Sequence, residues 1–269
     1  MKRFLLFFLV LTAGFILRES AYAQPSPPPF DEGETLTYEG KVSKIIQGIS
    51  VADLTFTVDR VEGKDYLIKA EAKSKGTLLR LFRFSFLQRF ESTIDDHDFR
   101  VIRTVKHDVQ KERVRDSEAL FDYGDKRVTW TEIDPKEPMK PPRKIASEIE
   151  GATHDLISGV YSLRMLPLAV GKTFNLKVSD SGLVYDVPVK VTGREMQKTD
   201  IGKVMCYRVE PQVFGTGRLV EGKGSMIIWI TDDARRIPVR SQVNASIGKI
   251  EIKIQSISTR GVTQTAKNN

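Results

Sequence analysis

The stretch GSMIIWITDDARRIPVR, residues 224–240, decides the fold. Met226 to Ile230 is apolar at every position, so both faces of that segment must be covered, as in a central strand. Asp232 and Asp233 follow at once. Aspartate favours turns because its side chain bonds nearby backbone N–H groups. A second strand opens on Arg235 and Arg236, and the spacing lets these arginines pair with the turn carboxylates. An exposed pair of that kind contributes only ~0–1 kcal/mol. The cluster therefore reads first as hairpin chemistry, and contact of Arg235 and Arg236 with a polar ligand is the sharper alternative.

Working outward, the period of two persists. Leu54, Phe56 and Val58 alternate with Asp53, Thr55 and Thr57; Tyr66, Ile68, Ala70 and Ala72 share one face; so do Leu183, Tyr185, Val187, Val189 and Val191; Ile250, Ile252 and Ile254 alternate with Glu251 and Lys253. Such alternation marks strands with one buried face. Turn signals such as VEGKD, DDHDF, YGDKR, SDSG and TDIGK separate the runs. Short connections imply antiparallel pairing. About twelve or thirteen strands are expected, and a sheet of that size curls or closes to remove its edges. The predicted class is all-β, mainly antiparallel, as a strongly curved sheet or partly open β-barrel with one or two short helices over an opening.

Two segments break the period. GTLLRLFRFSFLQRF, residues 76–90, predicts a short helix and then a strand. THDLISGVYSLRMLPL, residues 153–168, places Leu156, Val160 and Leu163 on one helical face, with Thr153 as the expected cap and Pro167 as the stop. The four-proline segment IDPKEPMKPPRK predicts a long exposed loop.

The N-terminus predicts export. Lys2 and Arg3 precede an apolar run from Phe4 to Leu17, shorter than the ~20 residues that span a bilayer, and Ala21-Tyr22-Ala23 fits signal-peptidase cleavage after Ala23. The expected organisation is a signal peptide over 1–23, a proline-rich linker over 24–29, a single β-rich domain over 30–257 and a polar tail over 258–269, with the mature protein periplasmic.

The formal net charge is +7, and the leader removes Lys2, Arg3, Arg18 and Glu19. Cations are spread through the chain and alternate with acids, so nucleic acid is not an expected partner. Weak peripheral contact with an anionic membrane face is compatible with this charge. The single cysteine, Cys206, excludes an intramolecular disulfide and sits in a strand as a small apolar side chain.

Reactive constellations are scarce. None of His97, His107 and His154 has a partner at helical metal-ligand spacing, and Asp95, Asp96 and Asp98 lack the glycine and terminal glutamate of a calcium loop. No metal or other cofactor is expected. Ser158, His154 and Asp155 lack the nucleophile elbow of a hydrolase and the geometry of a relay. Residues 78–90 read as a core element with snorkelling arginines, or as a flap over an apolar ligand. In the second reading Leu78, Leu79, Phe82 and Phe86 face the ligand, with Arg80 and Arg83 near anionic headgroups.

The segments PFDEGETLTYEGKVSKIIQGISVADLTF, HDLISGVYSLRMLPLAVGKTF, VYDVPVKVTGREMQKTDIGKVMCYRVEP and GKGSMIIWITDDARRIPVR together resemble the DUF3108 family of exported bacterial proteins, across nearly all of the mature chain. The family's three-residue steps of Asp, Ser, Tyr and Arg lie on Asp155, Ser158, Tyr161 and Arg164. Each step rotates by about −60° on a helix, so neighbours can touch but the four cannot form one site. The resemblance implies export and one β-rich domain, without an established reaction. The functional expectation is a non-enzyme that binds an apolar or amphiphilic, lipid-like envelope ligand. The alternatives are a structural or adaptor module for an envelope protein partner, and an enzyme acting on envelope polysaccharide.

Overall fold

The computed structural model describes residues 28–43, 48–61, 64–245, 248–259 and 262–265. The leader and residues 24–27 of the linker lie outside them. Eight strands come first: β1 (Thr35–Ser43), β2 (Ile49–Arg60), β3 (Tyr66–Ser74), β4 (Phe86–Ile94), β5 (Val101–Gln110), β6 (Arg113–Asp122), β7 (Arg127–Ile133) and β8 (Arg143–Glu148). A short helix, α1 (Gly76–Phe82), joins β3 to β4. Then come the two-residue β9 (Thr153–His154) and α2 (Leu156–Met165). A second meander follows: β10 (Thr173–Asp180), β11 (Leu183–Thr199), β12 (Gly202–Pro211), β13 (Ser225–Thr231), β14 (Pro238–Ala245) and β15 (Gly248–Thr259), with β16 (Val262–Thr265) appended.

Both meanders are antiparallel, and β1 pairs antiparallel with β15 to merge them into one sheet ordered β8 to β1, then β15 down to β9. Only β9 pairs in parallel, with β10, among the described strands. The expected class is what forms: one large antiparallel sheet, strongly curved and not closed by a backbone ladder. The described strands number sixteen, more than the pattern suggested, because β9 is too short to show a period and β16 lies in the polar tail. The sheet thus runs past Ile257, the expected domain limit.

The curl brings the two ends of the sheet together by packing. Ser147 Oγ on β8 donates to the carbonyl of Gly182 at 2.7 Å. Gly182 turns from β10 into β11 at φ +81, and a Cβ there would stand 2.9 Å from Ile145 Cβ and Trp130 Cβ. Only glycine allows both that conformation and that approach.

α2 is the crossover between the meanders and sits inside the curve. On one side it meets a cluster from the first meander, including Ile68, Val101 and Phe121, through Ile157 and Tyr161. On the other it meets Val187, Val189, Ile228 and Ile230 of the second, through Leu156 and Leu163. The face predicted from Leu156, Val160 and Leu163 is thus the one turned toward β10–β13. The helix begins two residues later than a cap at Thr153 implies. Asp155, not Thr153, is its cap, because Thr153 and His154 are drawn into β9 beside β10.

The tip of the β11–β12 hairpin lies over the outer face of β13–β15. Trp229 Nε1 donates to Glu195 Oε1 at 2.5 Å, Arg240 Nη1 to Gln197 Oε1 at 3.0 Å and Gln255 Nε2 to Asp200 Oδ2 at 2.6 Å. This second cover explains why Ile228, Trp229 and Ile230 are all buried. Cys206 is fully buried, and burial, with Asp233 and Glu195 adding to it, pushes its thiol up to about 12. It therefore acts as a small apolar side chain in this cluster.

Candidate ligand-binding cavity

Two apolar cavities flank Val160 of α2. One, of about 130 Å³, lies toward β1, β2 and β13–β15 and is bounded by Leu36, Phe56, Tyr161 and Ile252 among others. The second, of about 210 Å³, lies toward β10–β13 and is bounded by Leu163, Leu176, Val187 and Val213 among others. Val160, Met226 and Ile228 belong to both walls. An aliphatic cavity of roughly 150 Å³ stays dry and accepts a benzene-sized molecule, so each chamber can hold a segment of hydrocarbon. Leu54, Met226, Ser241 and Ile252 are only half-buried. The strand register puts these wall residues on the half of the barrel that ends at α1.

Four residues at three-residue steps hold α2 against the sheet. Asp155 Oδ1 accepts from the backbone N–H groups of Ile157 at 3.0 Å and Ser158 at 2.7 Å. Its Oδ2 accepts from Thr104 Oγ1 at 2.6 Å and from Ser92 Oγ. Ser158 Oγ accepts the Asp155 N–H at 2.9 Å, completing a capping box. The pair is helix anchorage; His154, its chain neighbour, lies outside the helix with a buried Nδ1 that has no hydrogen-bond partner among the described residues. Burial, the largest effect, holds the His154 pKa below its usual value.

At the other end, Arg164 donates from Nη1 to Glu34 Oε1 at 2.5 Å and from Nη2 to Glu34 Oε2 at 3.0 Å. Both side chains are essentially inaccessible, at 0% and 1% exposure. Nη2 also reaches the carbonyls of Pro29 at 2.8 Å and Arg235 at 3.0 Å. Burial alone would lower the Arg164 pKa; the Glu34 contacts reverse that and leave it raised. The guanidinium lies 5.1 Å from the ring centres of both Phe30 and Tyr161. The motif thus works as two touching pairs, Asp155–Ser158 and Tyr161–Arg164, rather than one cluster.

The ligand-facing residues expected from sequence fall at opposite ends of the barrel. Leu78, Leu79, Arg80, Phe82 and Arg83 lie on or just after α1, and Phe86 opens β4. α1 buries no residue; Leu79, Leu81 and Phe82 are each more than half exposed. It is a rim element and not part of the core. Arg235 and Arg236 sit in the β13–β14 turn at the far end. They do not form the expected pairs with Asp232 and Asp233. Asp233 Oδ1 instead accepts the backbone N–H groups of Arg235 and Arg236 at 3.0 and 3.1 Å, while Asp232 pairs with Arg194 at 2.5 Å. Arg236 has φ +48 and lies 5.2 Å above the Tyr207 ring, and Arg235 Nη2 points to Glu34 at 3.9 Å. Neither guanidinium makes a hydrogen bond or ion pair with its own aspartates among the described residues, although Arg236, over Tyr207, still interacts electrostatically with Asp232. The buried ion pair and the Asp155 anchor leave no alternation signal in the sequence; the three-residue spacing is their one trace.

The rim itself is pinned by Glu39 of β1. It accepts from Ser50 Oγ at 2.5 Å and from Lys75 Nζ, just before α1, at 2.9 Å. Burial alone would raise its pKa, but the Ser50, Lys75 and Lys41 contacts overcome this and hold it at about 2, against an ordinary 4.5. A depressed carboxyl pKa stabilises the fold above the unfolded value and loses that contribution as pH falls toward the folded one. Melting temperature is therefore expected to drop between about pH 4.5 and about pH 2, and Glu39→Gln should flatten part of that drop when both proteins are scanned side by side.

A β-barrel-like sheet wrapped around an internal helix, with apolar chambers beside that helix, defines the class of this protein. The DUF3108 family, described as proteins of unknown function, matches residues 35–255, and the chain belongs to it. No curated protein matches the chain. Among solved structures, it is similar to a β-barrel-like protein of the domain of unknown function DUF1849 from Brucella abortus, with TM-score 0.59 and 10% identity over 84% of this chain and 97% of that one. It is also similar to the hypothetical protein CT021 from Chlamydia trachomatis, with TM-score 0.34 and 6% identity over 89% and 93%. The first likeness shows the shared fold. Among the described residues, no helix is long and apolar enough to cross a membrane.

Proposed function

We propose that this is an exported, periplasmic, non-catalytic protein that holds an apolar or amphiphilic envelope ligand in the chambers beside α2. The observation that carries the reading is the pair of apolar cavities meeting at Val160, Met226 and Ile228. Ligand sites are mostly apolar concavities with a few polar groups, and this interior has that composition. The interior carboxylates favour binding over hydrolysis: Glu34 is committed to Arg164 and Asp155 to four donors.

The exposed Leu79, Leu81 and Phe82 of α1, flanked by Arg80 and Arg83, supply a surface for peripheral contact with an anionic bilayer. α1 lies at the end of the barrel toward which the half-buried cavity walls extend, so a lipid could pass from bilayer to cavity at this rim.

Delipidated mature protein is expected to take up the neutral dye N-phenyl-1-naphthylamine with a rise in fluorescence, and to release it to a lipid extract. Val160→Trp fills the space common to both chambers and should weaken uptake at least about tenfold while circular dichroism stays unchanged. A tenfold change corresponds to only about 1.4 kcal/mol of binding free energy, less than the burial of a single apolar side chain supplies. Absence of uptake by the wild-type protein would remove the reading, and co-purification of a protein partner without lipid would favour the adaptor role.

A further inference from the structure

A small polar recess lies beside the start of α2, on the side of the first meander. It encloses about 30 Å³, and Phe90, Lys106, Ser117 and Ser179 are among its walls. That volume holds a hydroxyl-sized group. Successive residues of a strand point to opposite faces, and β10 accordingly gives Val178 to the apolar chamber and Ser179 to the recess. Ser179 is 5% exposed, yet its hydroxyl makes no hydrogen bond among the described residues and is not sealed from water. Buried hydroxyls are nearly always satisfied, because an unpaired one forfeits its hydration. Lys106 lies 4.9 Å above the Phe90 ring and has no hydrogen-bond or ion-pair partner among the described residues. The recess thus offers two unused donors, an ammonium and a hydroxyl.

Charge narrows what can occupy it. Against Lys106 the wall sets two carboxylates, Asp155 and Asp180. Asp155 already accepts from four donors. Asp180 Oδ2 accepts from Ser181 Oγ at 3.4 Å, and the side chain has no other partner among the described residues. An anionic group here would stand beside both carboxylates and a cationic one beside Lys106, each stripped of water at a cost. A hydroxyl meets neither penalty, since it accepts from a donor and donates to a carboxylate at once. The recess and the chamber of about 210 Å³ share Asp155 and Leu156 in their walls. Resting on the cavity reading above, we infer that the recess takes the uncharged, hydroxyl-bearing head of an amphiphile such as an acylglycerol. Lys106 and Ser179 donate to the head's oxygens, and Asp180 accepts from its hydroxyl. The hydrocarbon chain passes Leu156 into the apolar chamber.

The test displaces N-phenyl-1-naphthylamine from the mature protein at neutral pH with monodecanoylglycerol, decanoate, decyltrimethylammonium and butylbenzene, each below its micellar concentration. Monodecanoylglycerol should displace the dye more tightly than either ion of the same chain length. In Lys106→Met it should weaken about tenfold and in Ser179→Ala about fivefold, the worth of one hydrogen bond from a charged and from a neutral donor. Butylbenzene, which has no head, should stay within about twofold in both variants. On the wild-type protein, nuclear Overhauser contacts should join the glycerol protons to the Phe90 ring. That reading decides the matter even if a variant fails to fold. Absent glycerol contacts at Phe90, a glyceride affinity indifferent to both substitutions, or either ion binding as tightly as the glyceride overturns the assignment, while displacement by butylbenzene leaves the cavity reading intact. Failure of all four compounds to displace the dye overturns both.

Discussion

Arg164→Ala is expected to cost about 3–5 kcal/mol of folding stability, the penalty for leaving one member of a buried ion pair without its partner. Glu34, 1% exposed, would keep its carboxylate inside an apolar shell. The change also frees the carbonyls of Pro29 and Arg235 and removes the cation stacked against Phe30 and Tyr161. Arg235, 3.9 Å from Glu34 and partly exposed, can swing inward, which favours the lower end of the range. Urea denaturation of wild type and variant measures the loss directly.

A second comparison separates charge burial from packing. Arg164→Met combined with Glu34→Leu removes both charges and retains most of the volume. Replacing a buried ion pair by apolar groups of similar size is often neutral or stabilising, so the double variant should regain most of what Arg164→Ala loses. If Arg164→Ala cost less than about 1 kcal/mol, the pair would be solvated in solution and the link between α2, the segment before β1 and the β13–β14 turn would be weak.

The fold is legible in the sequence because its signals are local. Alternation at Leu54–Val58 or Ile250–Ile254 states which face is buried, and turns such as SDSG state where the chain reverses. Met226–Ile230 announces a second cover, and the β11–β12 hairpin supplies it. The helix of residues 76–82 is legible too, but its burial is not, since Leu and Phe have the same pattern against a core as against solvent at a rim. Long-range partnerships leave less trace. Glu34 lies 130 positions from Arg164, and nothing near either residue specifies the other. Composition favours Thr153 as the helix cap; pairing of Thr153 and His154 with β10 moves the helix start to Asp155. Proximity in the chain matches Arg235 and Arg236 to the adjacent aspartates, yet Asp233 is used up by the turn's own backbone and Glu34 attracts Arg235 from another part of the chain. The cavity depends on how two meanders curl around one helix, which no window of sequence encodes.

Asp155→Ala should also be costly, by about 2–4 kcal/mol, for two reasons that add. Loss of an N-cap carboxylate removes about 0.5–2 kcal/mol. Loss of the acceptor for Ser92 and Thr104 leaves two inward hydroxyls to find new partners, and a buried donor left without one costs about 1–3 kcal/mol. Ser92 and Thr104 face each other across β4 and β5, so one carboxylate oxygen ties both strands to the start of α2. Asp155→Asn tests this division. Its amide oxygen can still accept the N–H groups of Ile157 and Ser158, and its NH2 can donate to the two hydroxyls once they rotate. It should therefore restore at least half of the loss. Ser92→Ala should cost less than either, since it deletes the donor together with its need for a partner, and Thr104 continues to hold Oδ2 at 2.6 Å. Freeing the start of α2 from β4 and β5 should let Val160 shift, so Asp155→Ala should weaken dye uptake under conditions where it remains folded, and Asp155→Asn should not. Equal stability of Asp155→Ala and wild type in urea would mean that the first turn of α2 is held by Leu156 and Ile157 packing alone.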